Sequence, residues 1–191
     1  MKKNQLFSAI SMTMLIAVCS IFANAQAVSS SALKAYTLAD GRISIELPAE
    51  PALEKEDADG VLSMSYTSEI EGLLVNISEF SYSDGSSMTE DPEMNDSMLE
   101  AFFTGVLNGI KETQMDDDAI EIGAIDEIEF AGMSGKEQMI KMNGIPTYTR
   151  GLVGDGRLYF IGVMSSDDAQ IKRILASFKV NKQKAKASSA K

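Results

Sequence analysis

The sequence predicts an α+β domain in which a central antiparallel sheet of about six or seven strands has helices packed on both faces. Segments of alternating apolar and polar residues indicate strands with one buried face. Two other segments place apolar residues three and four apart, as amphipathic helices do. Asn143-Gly144 and Asp155-Gly156 are dipeptides typical of hairpin turns. These patterns fill residues 34–180, which we expect to form a single domain.

Three strands are predicted in the first third of the chain. Apolar residues alternate with polar ones over residues 43–47, 62–66 and 73–77. The apolar pattern changes phase between Ile77 and Phe80, and this change suggests a β-bulge. We expect the three segments to form the antiparallel start of the sheet.

Two helices are predicted, each with a recognisable start. Asp91 followed by Pro92 is typical of an N-cap and first helical position, and the apolar stripe over residues 98–110 indicates a helix ending near Glu112. The second helix is expected after Ser165-Ser166, with acidic residues in its first turn and an apolar stripe from Ile171 to Phe178.

The strands between the helices have a register that turn chemistry predicts. Residues 122–130 and 134–142 are strand-like, with a turn at Ala131-Gly132 between them. Both residues of Asn143-Gly144 tolerate the positive φ of a type I′ turn, so a two-residue loop there sets Glu137 opposite Arg150. The same argument at Asp155-Gly156 sets Val153 opposite Leu158. The last of these strands are apolar on both faces and therefore need cover on both.

The N-terminus is typical of an exported protein. Lys2 and Lys3 precede an apolar run that ends in Ala23-Asn24-Ala25, so we expect residues 1–25 to be a signal peptide cleaved between Ala25 and Gln26. Residues 26–33 then form a linker, and the mature chain is expected to be periplasmic or secreted, without a transmembrane segment. The alternative is a lipoprotein anchored through Cys19.

The charge of the chain disfavours nucleic acid as a partner. The formal net charge is −11, and loss of Lys2 and Lys3 with the signal peptide takes it to −13. Nucleic-acid binding depends on Lys and Arg that neutralise phosphates. Residues 181–191 carry only basic charged side chains, and we expect them to form a disordered tail.

The residue types exclude the commonest catalytic and metal sites. The chain has no histidine, and its single cysteine, Cys19, lies in the predicted signal peptide. Histidine-based triads and the usual zinc sites are therefore absent from the mature chain. We expect no catalytic, cofactor-binding or metal-binding residues.

Carboxylates, methionines and one ion pair are the remaining candidates for binding. Acidic segments offer oxygen ligands for calcium but lack EF-hand spacing, so solvated charge in loops is the favoured interpretation. These acids are Asp116, Asp117 and Asp118 in one segment and Glu54, Glu56, Asp57 and Asp59 in the other. The pairs Met139/Met142 and Met94/Met98 have spacings that suit Cu(I), although core packing is favoured. Glu137 and Arg150 form either a substrate clamp or, as we favour, a pair that fixes strand register.

Four segments share the patterns of a known fold: "ISIELPAEP", "IEFAGMSGKEQMIKMNG", "YTRGLVGDGRLYFIGV" and the closing "ILASFKV". Together they resemble the PsbP-like fold superfamily, which includes exported PsbP-like and DcrB-like bacterial proteins. They are strand, turn and helix patterns that span most of residues 34–180. The resemblance implies a docking or accessory subunit, and it transfers no functional residue.

The expected function is therefore an exported, non-catalytic binding or accessory domain, whose partner is an unknown protein or small ligand. The alternative is a carboxylate-dependent hydrolase or lyase of the cell envelope, because two acids in different environments can act as acid and base. A site with two close acids would favour the enzyme, and an uncovered docking surface would favour the binding domain.

Overall fold

The computed structural model describes residues 32–89, 91–112 and 119–181. The predicted signal peptide, Cys19, the acids Asp116–118 and residues 182–191 of the tail lie outside the described residues. The strands are β1 Lys34–Leu38, β2 Ile43–Leu47, β3 Ala52–Ala58, β4 Val61–Ile70, β5 Leu73–Tyr82, β6 Ile120–Phe130, β7 Met133–Met142, β8 Ile145–Gly154, β9 Arg157–Ser165 and β10 Lys179–Val180. The helices are α1 Pro92–Glu112 and α2 Asp168–Ser177.

Seven strands form the main sheet, in the order β3-β4-β5-β9-β8-β7-β6, and every neighbouring pair is antiparallel. The predicted central antiparallel sheet is confirmed. One strand was wrongly placed in it, because Ile43–Leu47 lies in a separate three-stranded sheet of order β1-β2-β10. Alternation shows that a strand has one buried face, but it does not show which sheet contains that strand.

The two faces of the main sheet are covered differently. On one face, called the α1 face, α1 packs its apolar stripe against residues such as Phe80, Phe160 and Ile140. On the other, the α2 face, α2 and the small sheet bury Ile77, Ile161 and their neighbours. The prediction of helices covering both faces is not confirmed as stated, because a second sheet provides part of the cover.

The turn chemistry produces the predicted register. Asn143 and Gly144 have φ values of 52° and 77°, and they join β7 to β8 with Met142 paired to Ile145. Glu137 consequently pairs with Arg150, as predicted. Asp155-Gly156 likewise joins β8 to β9 and pairs Val153 with Leu158.

The predicted helix starts are also confirmed. Asp91 Oδ1 accepts hydrogen bonds from the backbone N–H groups of Glu93 and Met94, at 3.0 and 3.3 Å. Asp167 Oδ1 accepts from the N–H groups of Ala169 and Gln170, at 2.9 and 3.2 Å. Each carboxylate therefore satisfies two N–H groups that have no partner within the helix.

Two local predictions were wrong. β5 pairs with β4 and β9 without interruption, so there is no bulge between Ile77 and Phe80. The pairing shifts instead in β6, between Ile122 and Ile125. The acids Glu54, Glu56 and Asp57 lie on the edge strand β3 rather than in a loop, and Asp59 lies in the turn after it.

Candidate functional site

Adjacent strands β7 and β8 hold the ion pair that the sequence singled out. Arg150 donates from Nε and Nη2 to Oε2 of Glu137, at 2.8 and 2.5 Å. The Arg150 side chain is 12% exposed and that of Glu137 is 24% exposed. The guanidinium carbon of Arg150 lies 4.5 Å from the centre of the Phe130 ring on β6. Arg150 is therefore fixed by a charged hydrogen bond on one side and an aromatic ring on the other.

Apolar side chains surround this pair on the α2 face without being fully buried. We call this surface the β6–β8 patch. It consists of the Glu137–Arg150 pair and the partly exposed residues Ile128, Phe130, Met139 and Tyr148. Helix α2 packs on β9 and β2, and its first turn reaches the patch, where the Tyr148 hydroxyl lies 3.5 Å from Oδ1 of Asp168.

One donor of Arg150 has no hydrogen-bond partner. Its Nη1 is buried, and the described residues provide no acceptor for it. Buried donors without partners are costly and need an explanation. The Phe130 ring beside the guanidinium supplies part of the missing electrostatic compensation, because the face of an aromatic ring is electronegative.

A second charged cluster was missed by the sequence analysis. Glu79 on β5 is fully buried, and its carboxylate accepts hydrogen bonds from two arginines. Arg42 donates from Nη2 to Oε1 at 2.9 Å and from Nε to both oxygens at 3.2 and 3.3 Å. Arg157 donates from Nη1 to Oε1 at 2.9 Å. We call these three residues the Glu79 triad.

The Glu79 triad joins the two sheets. Glu79 and Arg157 belong to β5 and β9 of the main sheet, whereas Arg42 precedes β2 of the small sheet. Two buried phenols lie nearby. Burial raises the pKa of Tyr159 and of Tyr66, and the negative charge of Glu79 raises both pKa values further. The hydroxyl of Tyr66 also accepts a hydrogen bond from the backbone N–H of Ala39, which opposes the rise in the pKa of Tyr66.

The phase change in β5 was the sequence signal for Glu79. Leu73, Val75 and Ile77 face α2, and Glu79 is the next residue on that face. The sequence pattern alone suggested a bulge at this change of phase. In fact Phe80 packs on the opposite, α1 face, so both faces of β5 are buried and the charge is accommodated by arginines distant in sequence.

The other sequence candidates do not assemble into a site. Among the described residues, no three acids, histidines or cysteines lie close enough together to hold a metal ion. Met142 packs among the residues of the α1 face, whereas Met139, an odd number of positions away on the same strand, faces the other side. Asp116, Asp117 and Asp118 lie outside the described residues. In the described ranges, no helix combines the length and the apolar character needed to cross a membrane.

Comparison with known proteins gives similarities of fold only. No protein-family model matches the sequence, and no curated protein matches it. The chain is similar to cyanobacterial PsbP from Synechocystis, at 8% identity and a TM-score of 0.48, over 84% of this chain and 99% of that one. It is also similar to a crystal structure from Bacteroides thetaiotaomicron, at 12% identity and a TM-score of 0.39, over 78% of this chain. This chain spans about half (49%) of that protein's length.

Proposed function

We propose that this chain is an exported, non-catalytic binding or accessory domain, and that a protein partner docks on the β6–β8 patch. The observation that carries the proposal is Arg150, held between Glu137 and Phe130 at the centre of a partly exposed apolar surface. Over β5 and β9, α2 and the small sheet cover this face.

The composition of the patch is that of a protein interface. Aromatic residues, methionine and arginine are enriched at interfaces, and arginine and tyrosine are frequent among the residues that dominate binding energy. Phe130, Met139, Tyr148 and Arg150 stand together here on three adjacent strands.

Arg150 is also ordered before any partner arrives. Immobilising a long side chain on binding costs about 0.5–1.5 kcal/mol, and this cost is avoided when the side chain is already fixed. The hydrogen bonds that Arg150 donates to Glu137 and the contact with Phe130 fix Arg150 in the free protein. A partner surface that covers the patch would therefore meet a rigid, mostly desolvated cation.

The described carboxylates support binding better than catalysis. Glu79 is fully buried behind two guanidinium groups and does not reach solvent. Asp126 pairs with Glu137 across β6 and β7, so two acids do lie side by side. Asp126 is exposed, however, and Glu137 is bound by Arg150, so neither has the apolar enclosure that acid catalysis by a carboxyl group requires.

A photo-crosslinking experiment tests the docking surface. The photoreactive residue p-benzoylphenylalanine replaces Tyr148 in one variant and Leu53, an exposed apolar residue on the opposite edge strand, in the control. We expect a discrete protein adduct in native extract from position 148 and none from position 53. An excess of unlabelled wild-type chain should compete the adduct away.

Binding to the identified partner then tests the residues. Tyr148→Ala and Arg150→Lys should each weaken the affinity about tenfold or more, corresponding to about 1.4 kcal/mol, whereas Leu53→Ala should leave it unchanged. Equal adducts from both positions, or undiminished affinity in both patch variants, would refute the docking site. Turnover of a glycoside or ester that is lost in Asp126→Asn or Glu137→Gln would refute the non-catalytic assignment.

A further inference from the structure

The α1 face carries a row of uncharged residues that crosses the main sheet and has polar side chains on four of its seven strands. Register places one residue of each strand in this row, which we call the central polar row. From β3 to β6 its members are Ala52, Thr67, Asn76, Gly162, Thr149, Gln138 and Ile125. None of them is charged, and the four in the middle of the sheet with side chains are all amides or hydroxyls.

The central polar row divides the apolar packing under α1 into two parts. One cluster, containing Phe102 and Phe160, lies to one side, and another, containing Ile110 and Ile140, lies to the other. Val106 of α1 packs against both clusters. An uncharged polar strip beneath a helix is unusual, since an apolar row there would join the two clusters into one core.

Gly162 at the centre of the row has no structural reason to be glycine. Its backbone is outside the left-handed region, and a Cβ added to it would meet no heavy atom within 4 Å. The other strand glycines that the structure describes are crowded, as at Gly151, where a Cβ would lie 2.7 Å from Leu99. Glycine in a strand interior weakens the strand, and it often marks a bulge, a bend, or the close approach of a ligand or another backbone. The pairing of β9 continues through Gly162 without a shift, and no backbone atom lies near the position of its Cβ.

The polar groups beside Gly162 are already arranged. Asn76 donates from Nδ2 to Thr67 Oγ1 at 3.0 Å, and Ser78 donates to Asn76 Oδ1 at 3.3 Å. Ser78 also lies 2.8 Å from the hydroxyl of Ser65. These bonds orient the amide and the hydroxyls of β4 and β5, and such preorganised networks lower the cost of ordering groups around a ligand.

Two buried oxygens on the other side of Gly162 lack partners. Gln138 is only 3% exposed; its Nε2 donates to the carbonyl of Gly123, but its Oε1 accepts no hydrogen bond from the described residues. The hydroxyl of Thr147 is also buried without a partner. Both residues adjoin Thr149, which pairs with Gly162. A buried polar atom without a partner in a native structure points to a missing water or bound group.

We propose that the central polar row binds a small neutral ligand rich in hydroxyl and amide groups, of the saccharide class, over Gly162. Asn76, Gln138 and Thr149 supply donors and acceptors together, which suits groups that both donate and accept. The absence of charged side chains from the row favours a neutral ligand over an ionic one. This site lies on the face opposite the β6–β8 patch, so it is independent of partner docking.

The probe for the test is N-acetylglucosamine, which carries an amide and several hydroxyls. It is titrated into ¹⁵N-labelled residues 26–191, and the amide shifts are followed by NMR. We expect shifts concentrated at Asn76, Thr149 and Gly162. Glucosamine and glucuronate, which are charged counterparts of similar size, should shift these amides at least tenfold less at equal concentration.

Glycine substitutions separate binding from folding. Gly162→Ala should raise the melting temperature, because nothing crowds the added methyl, and should abolish the N-acetylglucosamine shifts. Gly151→Ala is the matched control and should lower the melting temperature, because Leu99 occupies the space. Absence of shifts in the wild type, equal shifts from the charged sugars, or undiminished shifts in Gly162→Ala would each overturn the proposal.

Discussion

Replacing Glu79 by glutamine removes the one negative charge between Arg42 and Arg157 while preserving the volume of the side chain. Glu79 accepts three contacts of 2.9 to 3.3 Å from Arg42 and one of 2.9 Å from Arg157. Glutamine can keep an acceptor at the Oε1 position, where both arginines donate, but it places an amide N–H₂ group against Nε of Arg42 at the Oε2 position and carries no negative charge. Two cations then face each other at the junction of the sheets without compensation.

The expected loss of stability follows from burial. Breaking a buried ion pair by removal of one partner costs about 3–5 kcal/mol. Arg42 and Arg157 are 14% and 27% exposed, so each can turn partly toward water, and we expect the lower limit of about 3 kcal/mol for Glu79→Gln. Arg42→Gln should cost more than Arg157→Gln, because Arg42 is less exposed and makes more contacts with the carboxylate.

Urea unfolding followed by circular dichroism measures these differences. The surface pair of Glu46 and Arg173 is the control, and Glu46→Gln should cost under about 1 kcal/mol. A combined Arg42→Met, Glu79→Leu, Arg157→Met variant should recover most of the loss, since an apolar replacement leaves no buried charge. A Glu79→Gln variant as stable as Glu46→Gln would refute the reasoning.

Two further predictions concern alkaline pH and a helix cap. Burial raises the pKa of the Tyr159 phenol, so its contribution to stability is complete below about pH 10, where an unfolded tyrosine ionises, and is lost as the pH rises above that value. When the pH is raised from about 9 to about 11, the range in which an unfolded tyrosine ionises, the free energy of unfolding in urea should therefore fall less for Tyr159→Phe than for the wild type. Equal losses would contradict this. Asp167→Ala should cost about 1 kcal/mol in the same assay, because two N–H groups of α2 lose their acceptor. Asp167→Asn keeps an acceptor and should be nearly neutral, and an equal loss in both variants would show that charge rather than capping matters.

The ion pair Glu137–Arg150 shows how far local chemistry reached. A two-residue turn at Asn143-Gly144 determines every pairing along β7 and β8, because each further residue on one strand adds one on the other. The pairing of residues six positions from the turn could therefore be deduced without knowledge of the rest of the fold. The contact of Arg150 with Phe130 could not be deduced, because it depends on β6 lying on the far side of β7.

The Glu79 triad shows where sequence reasoning stopped. A buried carboxylate requires compensating cations, yet Arg42 and Arg157 are 37 and 78 residues away from it in sequence. Neither arginine stands out by spacing. The same holds for β3, whose charged sequence resembles a loop and which is a strand because it pairs with β4 at the edge of the sheet.

By itself the sequence determined the elements that depend on neighbouring residues: the alternating strands, the helix starts at Asp91 and after Ser166, and the hairpins with their register. Their causes are backbone sterics, N–H groups at helix ends and the period of side chains along a strand, all of which act over a few residues. Only the tertiary structure decided that β2 belongs to a second sheet, that Glu79 meets two arginines, and that a polar row crosses the sheet at Gly162. These features join residues from many separate segments of the chain. They arise when apolar surfaces pack together, and local sequence patterns favour such packing without specifying which surfaces meet.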